Sequence, residues 1–354
     1  MNVLGLDIGG ANIKAADSDG NSASASFPIW KDRDGLTAVL RRLADTFPAR
    51  PDIVALTMTA ELADCFATKS EGVEFIVAAV EQLFTGSLVR VWLTSGEFAA
   101  PDDAREVPEL IAAANWHALA TWAARTVPSG RAVLIDCGST TTDIIPLLDG
   151  AAVPAGLNDR ERLVSGELVY TGWLRTPVCA MVSHVPLRGQ DCPVAAELFA
   201  TAADAWLVAD RIRDRPDLIQ TADGRPLVKT YSETRLAHTV CCDATELSTE
   251  EIREIGEFVT ERQCRQIADA VRRVTDRLSA LTDDQTLPPT VLISGSGAFI
   301  VDRVLDEYLP QLFSPRLKLS AMFRHSVTDC ACAFAVARLA HEMCSDDLLE
   351  TALF

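Results

Sequence analysis

Twice in this chain a short run of apolar, β-forming residues ends in an aspartate, passes into a glycine turn and resumes with β-forming residues. The first copy reads Val3-Leu4-Gly5-Leu6-Asp7-Ile8-Gly9-Gly10-Ala11-Asn12-Ile13-Lys14. The second reads Ala132-Val133-Leu134-Ile135-Asp136-Cys137-Gly138-Ser139-Thr140-Thr141-Thr142-Asp143-Ile144-Ile145. Continuous apolar runs of this length fit strands buried on both faces of a sheet, and β-forming residues on both sides of the turn make each copy a hairpin. A third segment, Thr290-Val291-Leu292-Ile293-Ser294-Gly295-Ser296-Gly297-Ala298, is followed by Phe299, Ile300, Val304 and Leu305 near helical spacing. It therefore reads as strand–turn–helix. A chain that opens two regions with the same hairpin is expected to fold as two related lobes.

The 354 residues are enough for two lobes with separate cores. Between the glycine turns lie helices with apolar faces. Leu36, Val39, Leu40, Leu43 and Phe47 share one face, and Ile267, Val271, Val274, Leu278 and Leu281 share another. The second stretch is expected to begin at Ser248, which forms an S-x-x-E capping box with Glu251. Strands are expected near 53–56 and 89–93. The alanine-rich segment 110–124 reads as one buried helix leaving the first lobe. Pro128-Ser129-Gly130 then breaks the pattern, which divides the chain into lobes 1–126 and 127–354.

The formal net charge of −18 repels nucleic acid and anionic membranes, so no nucleic-acid or membrane partner is expected. Asp7 follows the N-terminus too closely for an apolar signal segment, and the chain holds no apolar run long enough to span a bilayer. The ten cysteines lack the paired spacing of a disulfide framework. A cytoplasmic protein with reduced thiols is the expectation.

An acidic protein that binds phosphate must do so locally. Glycine at a tight turn lets backbone N–H groups approach an anion with no Cβ in the way. The expected phosphate contacts are Gly9, Gly10, Ala11 and Asn12 in the first turn and Gly138, Ser139, Thr140 and Thr141 in the second. Gly295, Ser296 and Gly297 supply the third. Asp7 and Asp136, at the strand ends, are placed to hold Mg²⁺ directly or through water, and Lys14 to neutralise phosphate charge. A single such turn is most often only a hairpin; two, each opening a lobe, with a third leading into a helix, make the signal. Neither the P-loop pattern nor the strand–GxGxxG–helix pattern is present.

This arrangement resembles the actin-like superfamily of sugar kinases, heat-shock ATPases and related enzymes. In that superfamily two hairpins clasp phosphates from opposite lobes and a third glycine turn meets the nucleoside. The resemblance implies a two-lobed α/β, ribonuclease H-like duplicated fold with a ligand cleft between the lobes. Within it, Asp136-Cys137-Gly138-Ser139-Thr140-Thr141-Thr142-Asp143-Ile144 resembles the second phosphate motif of the hydantoinase/oxoprolinase group, although Asn12 stands where that group usually carries threonine. Four stretches resemble a short branch linked to one-carbon transfer on tetrahydromethanopterin and methanofuran. They are Asp7 to Lys14, Ala113-Ala114-Asn115-Trp116-His117-Ala118-Leu119-Ala120, the run from Gly166 through Tyr170 and Arg175 to Pro177, and Glu197-Leu198-Phe199-Ala200-Thr201-Ala202-Ala203-Asp204. The branch implies a transferase that joins an aminomethylfuran diphosphate to the phenol of γ-glutamyltyramine, forming an ether and releasing pyrophosphate.

On that reading Asp204 is a candidate base or metal ligand, with a solvated helix position as the plainer alternative. Arg175 is a candidate clamp for diphosphate or carboxylate, against a structural ion pair. Asn115, His117 and Tyr170 are candidate substrate contacts, against packing roles. The rival function is an ATP- and Mg²⁺-dependent small-molecule kinase or hydantoinase-like amide hydrolase, with ATP as cofactor. In either case the partner is a phosphorylated small molecule.

Overall fold

The first apolar run is buried along its whole length as β1 (Val3–Ile8), the arrangement such a run favours when it lies inside a sheet. The computed structural model describes residues 1–283, 286–322 and 325–351. β1 pairs antiparallel with β2 (Asn12–Asp17), which pairs with β3 (Ser22–Ser26). On its other side β1 runs parallel to β4 (Ile53–Met58), β4 runs parallel to β5 (Leu88–Trp92), and β6 (Phe98–Ala99) closes the edge. The first sheet therefore has the order β3-β2-β1-β4-β5-β6.

The second sheet repeats this plan. β7 (Arg131–Cys137) pairs antiparallel with β8 (Thr142–Leu148), flanked by β9 (Ala151–Ala152) and β10 (Leu168–Val169). A small separate hairpin, β11 (His184–Leu187) and β12 (Gln190–Pro193), follows. β13 (Thr290–Ser294) and β14 (Arg316–Lys318) then add in parallel, giving β10-β8-β7-β13-β14. Matching strand for strand, β1 corresponds to β7, β2 to β8, β4 to β13 and β5 to β14. This is the two-lobed actin-like α/β fold.

The helix Leu36–Ala44 buries Leu36, Val39, Leu40 and Leu43 on the first sheet. The long helix Thr249–Ser279 starts at the Ser248/Glu251 capping box and buries Ile267, Val271, Val274 and Leu278. It stops two residues before Leu281, which is exposed rather than part of the apolar face. The segment 110–124 is not one helix. Helix Pro108–Ile111 ends, Ala113 takes φ 52°, and helix Asn115–Ala124 starts afresh. Nothing local forces this break; tertiary packing overrides the helix propensity of alanine.

The helix Ala331–Thr351 crosses back to the first sheet. Its Val336, Ala337, Leu339 and Ala340 pack with Val3, Ile53 and Ala55. The approach is close enough that a Cβ on Gly5 would lie 1.9 Å from the Ala333 carbonyl oxygen.

Candidate active site

Both hairpins close with the same turn. The Gly9 N–H donates to the Asn12 carbonyl (3.0 Å), and the Gly138 N–H donates to the Thr141 carbonyl (2.8 Å). A cleft of about 410 Å³ opens between the turns, lined by Asp7, Lys14 and residues Gly9 to Asn12 from one lobe. Asp136, Asp143 and residues Gly138 to Thr141 line it from the other. Asn115, Tyr170 and Arg175 also reach it.

Burial raises the pKa of the Asp7 carboxyl, although Lys14 and the Asn115 amide draw it partly back. Burial, followed by the nearby Asp143, pushes Asp136 up to about 6. Burial opposes charge on Lys14 too, but Asp7 foremost, with Asp136, holds its pKa above the ordinary value. Oδ1 of Asp7 and Oδ1 of Asp136 are both buried without a hydrogen-bond partner. An unsatisfied carboxylate oxygen in a buried site costs free energy unless a ligand or ion completes it.

Each hairpin is backed by a segment that delivers a side chain to the cleft. Phe27 and Ile29 N–H groups donate to the Ala11 and Gly10 carbonyls (2.9 and 3.0 Å), which carries Trp30 to the cleft. In the other lobe the N–H groups of Trp173 and Arg175 donate to the Gly138 and Ser139 carbonyls (3.1 and 2.9 Å). Only glycine fits at 172, because a Cβ there would lie 2.5 Å from the Thr140 nitrogen. Gln263 locks this segment from beneath, its Nε2 donating to Thr171 Oγ1 and to the Gly172 carbonyl (both 2.8 Å). Trp30 and Arg175 then meet, the guanidinium 5.2 Å from the indole centroid. Burial lowers the Arg175 pKa.

Several expected site residues lie elsewhere. Asp204 is not a mid-helix carboxylate facing the cleft. It is the third residue of helix Ala202–Val208 and forms a capping box with Thr201. It is fully buried, where its Oδ1 accepts from Arg235 Nε (2.9 Å), Arg235 Nη2 (2.6 Å) and Ser232 Oγ (2.7 Å). His117 packs between Trp92 and Trp116, its ring 5.8 and 5.2 Å from theirs. Burial, with Arg162 nearby, lowers its pKa to about 4.

The third glycine turn stands behind the second hairpin and does not line the cleft. Gly297 N–H donates to the Cys137 carbonyl (2.8 Å), and Ser296 Oγ accepts from Trp173 Nε1 (2.9 Å). Gly295, at φ 88°, leaves room beside Asp136: a Cβ there would sit 2.8 Å from Asp136 Oδ1.

The fold also brings in residues that sequence spacing did not flag. Arg162, 1% exposed, pairs with Asp143 and with Asp159 (3.4 Å) and stacks 4.0 Å over the Trp116 ring. Glu61 leaves the end of β4 and lines the cleft while only 2% exposed. The one sequence signal for Glu61 is topological: it follows β4 as the third glycine turn follows β13.

A hydantoinase/oxoprolinase family profile matches residues 52–342. The (4-{4-[2-(gamma-L-glutamylamino)ethyl]phenoxymethyl}furan-2-yl)methanamine synthase of Methanocaldococcus jannaschii is 34% identical over 340 residues, covering 95% of this chain and 97% of that protein. The synthase of the same name from Methanococcus vannielii is 32% identical over 175 residues, covering 49% of this chain and 75% of that one. Among solved structures, a nucleotide-free acetone carboxylase superposes with a TM-score of 0.57 at 11% identity, covering 95% of this chain and 70% of that one. That likeness shows the fold. Among the described residues, no helix is long and apolar enough to cross a membrane. The chain belongs to the hydantoinase/oxoprolinase family.

Proposed function

We propose that this chain is a cytoplasmic transferase of methanofuran biosynthesis, serving tetrahydromethanopterin-linked one-carbon metabolism. It joins an aminomethylfuran diphosphate to the phenol of γ-glutamyltyramine, making an aryl-alkyl ether and releasing diphosphate. The observation that carries this reading is the relationship to the Methanocaldococcus jannaschii synthase across almost the whole length of both chains.

The cleft chemistry suits such a reaction. A furfuryl-type methylene leaves diphosphate readily because the ring stabilises the developing cation, so the enzyme's main task is to hold charge on the leaving group. The turns at Gly9 to Asn12 and Gly138 to Thr141 line one cleft together with Lys14; the Gly9 and Gly138 N–H groups are used within the turns, which leaves those of Gly10, Ala11, Ser139 and Thr140 to meet an anion. Preorganised donors of this kind lower a barrier by roughly 3–4 kcal/mol each. Arg175, which lines the cleft against Trp30 and has no carboxylate partner among the described residues, is placed to take a further anionic group of either substrate.

Asp7 and Asp136 also fit a divalent cation, since each keeps one buried oxygen unpartnered. Among the described residues no three acidic, histidine or cysteine side chains converge as a complete ligand set. That favours Mg²⁺, which keeps waters and phosphate oxygens in its shell and needs few protein ligands. When bound, the ion would neutralise charge on the diphosphate.

The test is to incubate the protein with Mg²⁺, the furan diphosphate and γ-glutamyltyramine, and to measure ether and pyrophosphate together. Equimolar appearance supports the reading. Absence of ether from folded protein, with ADP release from ATP instead, replaces it with an ATP-dependent kinase or amide hydrolase.

A further inference from the structure

Making an aryl ether requires the acceptor to lose its phenolic proton, and a free phenol holds that proton to a pH of about 10. The cleft therefore has to supply a base. Its carboxylates are not equivalent. Asp7 and Asp136 stand at the hairpins where the diphosphate is expected, and Asp143 and Asp159 are both held by Arg162. Asp64 is exposed. Glu61 shares with Asp7 and Asp136 a buried oxygen without a hydrogen-bond partner, but it lies off both hairpins, and unlike Asp143 and Asp159 it has no ion pair among the described residues.

Its position is built by the backbone. The N–H groups of Thr59 and Ala60 both donate to the Ile8 carbonyl (2.9 and 3.1 Å), so the chain leaves β4 beside the first hairpin. The contact is direct, since a Cβ on Gly9 would lie 3.5 Å from Thr59 Oγ1. From behind, the Glu61 backbone rests on Gly72 of helix Lys69–Leu83. A Cβ at Gly72 would come within 2.5 Å of the Glu61 oxygen and 2.6 Å of its Cα. Ala113, in the left-handed region at φ 52°, lines the same part of the cleft. Non-glycine residues held in that region cluster at functional sites.

We propose that Glu61 is the general base that accepts the acceptor's phenolic proton as the ether forms. The inference rests on the diphosphate-transfer reading above. The phenolic O–H bond breaks and its proton passes to the Glu61 carboxylate. The phenolic oxygen's electron pair forms the new bond to the furfuryl methylene, and the old C–O bond breaks with its pair leaving on diphosphate. The proton then passes to solvent, so each turnover releases one diphosphate and one proton.

The surroundings suit a base working near neutral pH. Burial pushes Glu61 up to about 7, helped by Asp159 from the opposite lobe; backbone N–H groups at Glu61 and Ala113 and the Lys69 ammonium draw it partly down. A base poised near the working pH combines availability with driving force.

The experiment compares wild type with Glu61→Gln, using γ-glutamyltyramine and a ring-fluorinated analogue whose phenol ionises near neutral pH. Glu61→Gln is expected to lower kcat about 10²–10⁴-fold with the ordinary acceptor. The deficit should shrink at least about tenfold with the fluorinated one, whose proton is already lost. The stabilisation given by Mg²⁺ plus pyrophosphate should be unchanged. If Glu61→Gln does not fold, Glu61→Asp is read the same way and should retain part of the rate. A deficit equal for both acceptors, or an unchanged kcat, overturns the role of Glu61 while leaving the transferase reading intact. No ether from wild type overturns both.

Discussion

Lys14 and Asp143 occupy the same register position in the two hairpins, Lys14 opposite Asp7 and Asp143 opposite Asp136. The duplicated lobes thus place a cation on one side of the cleft and an anion on the other. The anion is tolerated because Arg162 reaches it from helix Asp159–Ser165. Without that contact, Asp143 and Asp136 would face each other with little compensation.

Arg162→Met should therefore be costly. Removing one member of a buried ion pair typically destabilises by about 3–5 kcal/mol, because the partner charge stays buried. Urea denaturation of the variant measures it. A loss below about 1 kcal/mol would show that Asp143 finds another partner.

Asp7→Asn and Asp136→Asn should keep the fold and lose metal-dependent ligand binding. Wild type with Mg²⁺ and pyrophosphate at about a hundred times the dissociation constant gains roughly 2.7 kcal/mol, and most of that gain should vanish in either variant. A thermal-shift titration reads it directly. Full retention in both variants would remove these aspartates from the phosphate site.

The glycines separate backbone roles cleanly. Gly295→Ala should destabilise and weaken pyrophosphate binding, because it combines φ 88° with a Cβ 2.2 Å from the Cys137 carbonyl oxygen. Overpacking of this kind costs about 1–3 kcal/mol. Gly10→Ala meets nothing within 4 Å and should fold normally. Equal midpoints for the two variants would contradict the packing described for the third turn.

Asp204→Ala should lower stability by about 3–5 kcal/mol, since it leaves Arg235 buried without that partner. Asp204→Asn, which preserves the shape, should keep kcat for ether formation within a few-fold. A large drop in kcat without loss of stability would return Asp204 to the chemistry.

Glu61 gives a pH dependence whose sign is fixed by linkage. Its folded pKa of about 7 lies above its ordinary 4.5, so the folded state binds the proton more tightly. The resulting stabilisation is full below about pH 4.5 and is lost as pH rises through about 7. On the order of 3 kcal/mol is at stake. Glu61→Gln should gain stability relative to wild type across that window, and parallel stability curves for the two proteins would mean the carboxyl is not shifted.

The hairpins were legible in the sequence because each is local: strand, aspartate, turn and strand occupy one short stretch. The Ser248 capping box was legible for the same reason. Glu61 and Arg162 were not, because their environments are assembled from distant elements. Ala113 gave no warning either, since an alanine-rich run carries no local breaker and the kink comes from packing. Asp204 was visible as a residue, but its pairing with Arg235 depends on a second helix, Lys229–His238, folding over it.

The helix Ala331–Thr351 has a consequence for the order in which the chain becomes structured. One face of the first sheet is covered by residues made more than three hundred positions after β1. During synthesis that face has only Ala114, Ala118 and their neighbours against it until the second lobe has been produced. Nascent chains halted before residue 331 would thus offer chaperones an apolar sheet that the finished protein conceals.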